Sequence, residues 1–455
     1  MNKMNDTDSR YRNSAAAGTK EVTAAYRVIG KNTYFNTDGF KTRMNSNVSV
    51  FGSPGCGKTS GFVSPNIATA ANHSIVVSDT KGQLFRKHRE SLMARGYTVH
   101  CLDMINFERS TCGYDPLRQI RKKTDRQGNV KYNETDIMTV ANYLCPALKS
   151  NDPFWELSAQ NMLCCIIDFV LSNLDEDEKN LASVTDLLRM CIPEDGRISF
   201  LEDYAYKAPE SLTARCYGTM KTGFEASKTF SSTHSIASNS IAAYDNSELR
   251  DFMRKPQTMA FEDLGKRKIA LFLQNSDIDH SRDSMISLAV AQMILCLTNE
   301  ADKRSSGQLR VPVDFYLDDF GASCYLPEFP RWIAVLRSRL ISVTVLCQSM
   351  TQLETRYSAA ECGTILSCTD HILYMGGCSD PATLHLLADR AGMLPETLAS
   401  MPIDKMLIIT RGEKARIVDK IEPDSVTFEN SPSIDELSRC EAQSSSINIT
   451  LERSE

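Results

Sequence analysis

The sequence predicts an α/β protein built on a mostly parallel central sheet and interrupted by an all-helical insertion. Three observations predict it. Short apolar runs of strand length alternate with helix-length segments from residue 47 to residue 103. From about residue 125 to residue 254 the alternation stops and only helical periodicity is left. From residue 268 the apolar strand runs resume, again separated by helix-length segments.

Taken in order, residues 1–25 are polar and short of large apolar side chains, which predicts a mobile N-terminus. Residues 47–51 form the first strand run and lead into a Gly-rich turn. Residues 74–79 form the second and end in Asp79-Thr80-Lys81-Gly82. A helix is expected over 83–95, closed by Gly96, and a third strand over 98–103. The helical stretch reads as 135–148, 154–173, 183–190, 199–206, 211–226 and 236–251, with no strand among them. In the second of these, Leu157, Met162, Cys165, Ile166, Phe169 and Val170 recur at helical spacing. Further strands are expected at 268–274, 313–318, 341–348, 371–375 and 406–410, with helices at 283–299, 330–339 and 381–391. The organisation that follows is a sheet domain split into 26–125 and 255–423, an all-alpha insertion at 126–254, and a Ser-rich, acidic, mobile tail at 424–455.

Composition excludes several classes. With 42% hydrophobic and 24% charged residues, the chain is neither disordered throughout nor a collagen or coiled-coil rod. Its longest apolar stretch, residues 162–171, is broken by Asp168 and falls short of the ~18–20 residues that span a bilayer. No signal-peptide core occupies the first 25 residues, so the expected chain is soluble and cytoplasmic, with room for a membrane partner. A net charge of -6 argues against a general polyanion binder and confines any nucleic-acid surface to a local patch. The 15 cysteines are scattered without C-x-x-C spacing and read as small buried apolar residues of a reducing compartment. The 7 histidines show no metal-ligand spacing.

The residues that carry chemistry begin at Gly52-Ser-Pro-Gly-Cys-Gly-Lys58-Thr59, which fits G-x-x-x-x-G-K-[ST] between a strand and a helix starting near Lys58. Gly55 and Gly57 let successive N–H groups converge on phosphate oxygens. The helix N-terminus adds partial positive charge. Lys58 is placed to reach the β- and γ-phosphates and the Thr59 hydroxyl to ligate magnesium. The nucleotide cradle is thus Gly52, Ser53, Pro54, Gly55, Cys56, Gly57, Lys58, Thr59 and Ser60. At the end of another strand, Asp318 is expected in the magnesium shell and Asp319 as the carboxylate that polarises the attacking water. Gln348 ends a third strand, where it either reads the γ-phosphate or simply faces solvent. Arg337 and Arg339 are candidate arginine fingers or surface arginines near a helix C-terminus. The basic run Arg118, Arg121, Lys122, Lys123, Arg126 reads as a solvated loop, with a DNA-facing patch as the other reading. Trp155 reads as a core anchor at the start of its helix rather than a base-stacking platform.

These motifs together resemble the coupling proteins of conjugative type IV secretion, the TraG/TraD-like DNA-transfer ATPases. The resemblance rests on the strand and P-loop with Gly61-Phe-Val-Ser-Pro-Asn66, Val76-Val-Ser-Asp79-Thr-Lys81-Gly82, and Arg95-Gly-Tyr-Thr-Val-His-Cys-Leu102. It continues through Tyr114-Asp-Pro-Leu117, Asp152-Pro-Phe-Trp-Glu156, Leu317-Asp-Asp-Phe-Gly321, Leu336-Arg-Ser-Arg339, Leu346-Cys-Gln-Ser349 and Tyr374-Met-Gly-Gly377. It covers roughly residues 30–420.

The resemblance implies a RecA-like P-loop NTPase of the ring-motor kind, with ATP and Mg2+ as ligands. Lys58, Asp319, Arg337 and Gln348 would be its catalytic residues, and Thr59 and Asp318 its metal ligands. Arg337 matches the arginine supplied in trans and Gln348 the glutamine that senses the γ-phosphate. Implied partners are single-stranded DNA, a relaxase or relaxosome, and a membrane-embedded secretion channel or a separate anchor protein, with the chain assembled as a homo-hexamer. Three positions depart from the family pattern. Two transmembrane helices usually precede the P-loop, and none does here, so recruitment to the inner face of the membrane falls to a partner, or the chain is truncated. The second acid, usually Glu, is Asp319, one methylene shorter, which implies intact binding with slow turnover. The loop centre reads Pro54-Gly55-Cys56 in place of small residues. The leading function is an ATP-driven motor that delivers single-stranded DNA to the channel. The alternatives are a nucleotide-binding docking adaptor with little turnover and another DNA-pumping ring ATPase.

Overall fold

The structure is a computed structural model that describes residues 26–427 apart from 125, 127, 129, 148–152, 225 and 257–258. The expected mobile N-terminus at 1–25, and the expected tail from 428 onward, lie outside the described residues.

Thirteen strands are described: β1 (Tyr26–Gly30), β2 (Thr33–Asn36), β3 (Val48–Phe51), β4 (Ser74–Ser78), β5 (Thr98–Asp103), β6 (Lys122–Thr124), β7 (Val130–Tyr132), β8 (Ile269–Gln274), β9 (Val313–Leu317), β10 (Ile341–Cys347), β11 (His371–Tyr374), β12 (Lys405–Thr410) and β13 (Arg416–Asp419). Nine of them make one sheet in the order β13-β12-β11-β3-β10-β9-β4-β8-β5. From β11 to β5 every pairing is parallel, while β12 and β13 add to the β11 edge antiparallel. All eight expected strands are in it, and their composition explains why. Strands covered on both faces read as unbroken apolar runs, and β3, β4, β8 and β10 are buried at every residue.

Three local readings need correction. The hairpin β1–β2 was not foreseen. It is fixed by buried Arg27, whose Nη2 lies 2.5 Å from Asp314 on β9 and 3.0 Å from the Ser342 hydroxyl on β10. The stretch read as strand-free holds β7, which pairs with β6 as a small antiparallel hairpin, so Lys122 and Lys123 of the basic run sit on a strand rather than in a loop. The helix expected over 236–251 is two helices, Ser227–Ala242 and Ser247–Arg254. Asn246 starts the second by accepting the Leu249 N–H at 2.9 Å, an N-cap that the apolar periodicity concealed.

Most remaining helices follow their predicted segments, but the one expected over 211–226 ends at Lys221, and Met350–Glu354, Ala359–Ser367 and Pro395–Ala399 were not foreseen. Phe154–Asn173 and Pro381–Ala391 match residue for residue. Glu134–Leu144 stops short of 148 because Pro146 keeps Cys145 out of the helical region. Phe154–Asn173 and His280–Asp302 are, by length and composition, apolar enough to cross a membrane. Scattered polar residues break the apolar run in each, so neither shows as an uninterrupted apolar stretch in the sequence. Most of each is buried inside the fold. Phe154–Asn173 forms the centre of the helical run, burying Ala159, Met162, Leu163 and Ile166 among its neighbours.

Among the described cysteines all are free, and all but Cys56, Cys296 and Cys368 are buried, as expected of small apolar residues.

Candidate nucleotide-binding site

The site forms where β3, β10 and β9 end side by side. Register aligns Cys347 with Phe51 and Val345 with Leu317, so the loops after all three strands open on the same crevice. Ligands in open α/β sheets bind outside such carboxyl ends.

The loop after β3 has the backbone the motif demands. Gly55 and Gly57 take φ of 78° and 94°, a region that costs glycine nothing and other residues dearly. Lys58 is buried and its Nζ donates to the carbonyls of Gly52 at 2.5 Å and Ser53 at 3.3 Å. A neighbouring strand braces the loop. The Met375 N–H donates to Phe51 O at 2.7 Å, the Ser53 N–H donates to Gly376 O at 3.4 Å, and the Ser53 hydroxyl donates to Gly377 O. Both glycines have positive φ, 82° and 75°, so the Gly-Gly after β11 is a backbone requirement. The helix after the loop begins as a single π turn, Thr59–Val63, and continues as Ser64–Ala68.

The expected metal pair is in contact: the Thr59 hydroxyl donates to Asp318 Oδ2 at 3.0 Å. Burial, and then the neighbouring Asp319, push the Asp318 carboxyl above the usual carboxylate range, while its bonds to the Asp319 N–H and to Thr59, and the charge of Lys58, pull it back. A half-buried hydroxyl–carboxylate pair beside a lysine is a donor set suited to a hard cation carrying phosphate oxygens.

Asp319 and Gln348 also meet, with Gln348 Nε2 donating to Asp319 Oδ1 at 3.0 Å. Asp319 has φ of 46°, a left-handed conformation unusual outside glycine, which turns its side chain away from the line of β9. Asp319 directly follows Asp318, and Gln348 directly follows β10, so the bonded pair stands at the same carboxyl end of the sheet as Thr59 and Asp318.

The two arginines are elsewhere. They precede β10, at the end of the sheet opposite the P-loop, separated from Gln348 by a strand about 20 Å long at ~3.3 Å per residue. Arg337 is exposed and its Nη2 donates to Gly39 O at 2.6 Å. Arg339 grips Asp302 with two bonds of 3.0 and 3.2 Å.

Other singled-out residues have structural duties. Asp115 caps the turn after it through the Leu117 N–H at 2.9 Å and accepts the Leu181 N–H at 2.9 Å, tying the sheet to the helical run; burial pushes its carboxyl up to about 6. Asp79 accepts the Phe85 N–H at 2.8 Å and caps the helix Gln83–Ala94. Trp155 is not the expected core anchor: it is 37% exposed, packed edge-on against Phe154, itself 50% exposed. In the basic run, Arg121 is held by Asp136 and Lys122 lies 3.7 Å from Glu176, whereas Lys123 faces solvent opposite Lys131. One residue that sequence reasoning missed touches the loop directly. Lys420, just after β13, donates from Nζ to Cys56 O at 3.0 Å and to Ile403 O at 2.7 Å.

Fold and loop together define a protein of the P-loop NTPase class. The chain matches the type IV secretory system conjugative DNA transfer family over residues 2–397 and belongs to that family. Among solved structures it is similar to the bacterial conjugative coupling protein TrwBdeltaN70 in its unbound monoclinic form. The TM-score is 0.64 at 14% identity, covering 90% of this chain and 91% of that one. The plasmid coupling protein TrwB in complex with ADP and Mg2+ aligns at TM-score 0.60 and 14% identity over 84% of this chain and 87% of that one. VirB4 of Thermoanaerobacter pseudethanolicus aligns at 0.53 and 12% over 88% and 96%. At these identities the likeness establishes the fold. A comparison with curated protein sequences found no match.

Proposed function

We propose that this chain is the ATP-hydrolysing subunit of a conjugative coupling protein, working as a homo-hexameric ring on single-stranded DNA delivered with its relaxase. One observation carries the reading: Thr59 bonds Asp318 and Gln348 bonds Asp319 in a single crevice beside Lys58. Family membership and the nucleotide-bound state of TrwB support it.

In this reading the loop from Gly52 to Ser60 binds the polyphosphate of ATP, and Lys58 exchanges its two carbonyl bonds for phosphate oxygens. Thr59 and Asp318 would hold Mg2+, which supplies charge neutralisation on the transferred phosphoryl group. Asp319 orients and polarises the attacking water, and Gln348 fixes the Asp319 carboxylate. Arg337, at the far end of the sheet, serves the nucleotide of the adjacent subunit. Residues 126–254 act as the all-alpha domain that meets DNA and its processing proteins. Membrane recruitment goes through a channel or anchor protein.

The adaptor reading keeps one supporting observation, the shorter Asp319 in place of glutamate. DNA-stimulated ATP turnover of the purified full chain and of Lys58→Ala decides between them. We expect wild-type turnover and a loss of at least about a hundredfold in the variant with the fold intact. A Lys58→Ala chain that hydrolyses ATP like wild type removes the site. A wild-type chain that binds ATP–Mg2+ without turnover favours the adaptor.

A further inference from the structure

Lys420 lies beyond residue 397, where the family match ends, and 364 positions from the loop it touches. Its Nζ bridges two carbonyls, Cys56 O in the middle of the P-loop and Ile403 O just before β12. Its own N–H is bonded to Asp404 O at 2.8 Å, so the backbone that carries the ammonium is fixed as well. The next residue runs alongside the helix that follows the loop: Ile421 O lies 3.5 Å from where a Cβ on Gly61 would stand.

The peptide joining Cys56 to Gly57 is planar and trans, so its carbonyl and its N–H point in opposite directions. A cation that fixes Cys56 O on one side therefore fixes the Gly57 N–H on the other. That N–H takes no acceptor among the described residues. Gly57 has φ of 94°, and glycine accepts either sign of φ at little cost, so nothing intrinsic to the loop prevents this peptide from turning over. In the cradle such N–H groups are the phosphate ligands.

We propose that Lys420 is a positioning residue of the nucleotide site: it clamps the Cys56–Gly57 peptide from behind and so holds the Gly57 N–H toward the polyphosphate. The inference rests on reading the loop as a nucleotide site. It adds a residue from the C-terminal edge strand to a cradle otherwise supplied by the loop itself. Burial lowers the ammonium's proton affinity, yet its two carbonyl partners suit a donor with three protons.

The test is calorimetric titration of ADP with Mg2+ into the full chain, for wild type, Lys420→Met, Lys420→Arg and Lys58→Ala, alongside the nucleotide-free unfolding midpoint of each. Lys420→Met should lose about tenfold in ADP–Mg2+ affinity, the worth of a charge-assisted hydrogen bond, with its unfolding midpoint unchanged. Lys420→Arg, which keeps the charge and the donors, should recover most of that affinity. Wild-type affinity in Lys420→Met while Lys58→Ala binds poorly overturns the clamp and leaves the nucleotide site standing. An affinity loss that tracks a lowered midpoint and is not recovered by arginine makes Lys420 a mere strand anchor and overturns it too. If Lys58→Ala binds like wild type, or the wild-type chain does not bind ADP, the site itself fails and the clamp with it.

Discussion

The two ends of the central sheet treat charge differently. At the P-loop end, side chains satisfy one another across strands: Thr59 on Asp318, Gln348 on Asp319, Lys58 on its own loop's carbonyls. At the opposite end some basic groups have carboxylate partners and others, Lys268 and Arg310 among them, have none among the described residues. Arg27 is buried against Asp314, Arg411 lies 3.2 Å from Asp370, and Arg339 grips Asp302; each has a carboxylate partner. Arg337 meets no carboxylate among the described residues, and its bond to Gly39 O, a neutral acceptor, leaves its charge unspent. The P-loop end brings together within one chain the lysine, the hydroxyl and both carboxylates of the proposed site. The other end exposes Arg337, a strand's length away from Gln348. In the proposed function the difference is put to use by closing the site between subunits.

The sharpest way to break the comparison is Arg337→Ala. If the arginine serves a neighbouring subunit, turnover should fall by about a thousandfold, the scale of an arginine finger, with ADP–Mg2+ affinity held within about twofold. Turnover of the wild type should rise steeply with protein concentration. Arg337→Ala and Lys58→Ala subunits should partly rescue one another when mixed, because some interfaces then carry neither lesion. Rings shown to mix without regaining activity at any ratio would sink the trans assignment.

A smaller effect is expected at Asp319. A base must come within about 2.6–3.2 Å of the water it activates, and misplacement by ~1 Å costs on the order of a hundredfold. Asp319→Asn should therefore lower turnover by about a hundredfold with affinity intact, since Thr59 and Asp318 keep the metal contacts. Asp319→Glu should raise turnover by restoring reach. Steady-state kinetics on both variants decide it. A slower Asp319→Glu would mean that the left-handed turn at 319, with φ of 46°, has already moved the shorter carboxylate into place.

What the sequence disclosed and concealed follows the same division. The P-loop end was legible because its residues lie in short motifs at strand ends: Lys58 and Thr59 follow β3, Asp318 and Asp319 follow β9, and Gln348 follows β10. β3, β4, β8 and β10 were legible because burial at every residue leaves apolar runs, and β5, β9, β11 and β12 because shorter apolar runs survive in them. The unforeseen strands lack such runs. β13 is mostly exposed, and β6 is Lys-Lys-Thr with every residue in solvent. Trp155 misled because an aromatic at a helix start usually packs inward, and here it shares an exposed corner with Phe154. Lys420 had no local signal at all, since its meaning lies in a carbonyl brought to it by the order of the sheet rather than by any spacing along the chain. The residues alone place Arg337 and Arg339 on the same turn, and only the family resemblance singled out Arg337. In the structure the identity of their partners separates them as well.

That separation gives the smallest predicted effect and the most discriminating one. Arg339 stands two residues from Arg337 on the same short turn, so a general disturbance of that turn would touch both. Its guanidinium is already spent on Asp302, with the arginine side chain 23% and the aspartate 52% exposed. A partly exposed pair of this kind contributes about 0.2–1 kcal/mol, because solvent screens the attraction and two long side chains lose freedom in making it. Arg339→Ala should therefore lower the unfolding free energy by less than about 1 kcal/mol, as read by urea denaturation, and change ATP turnover by less than about twofold. Asp302→Ala should reproduce the same small loss, and the double variant should lose little more than either alone, since one bond is removed once. If Arg339→Ala instead costs turnover on the scale expected of Arg337→Ala, the ion pair must open during the cycle. The cation that completes the neighbouring site would then be Arg339, and the contrast between spent and unspent charge at this end of the sheet would no longer identify the finger.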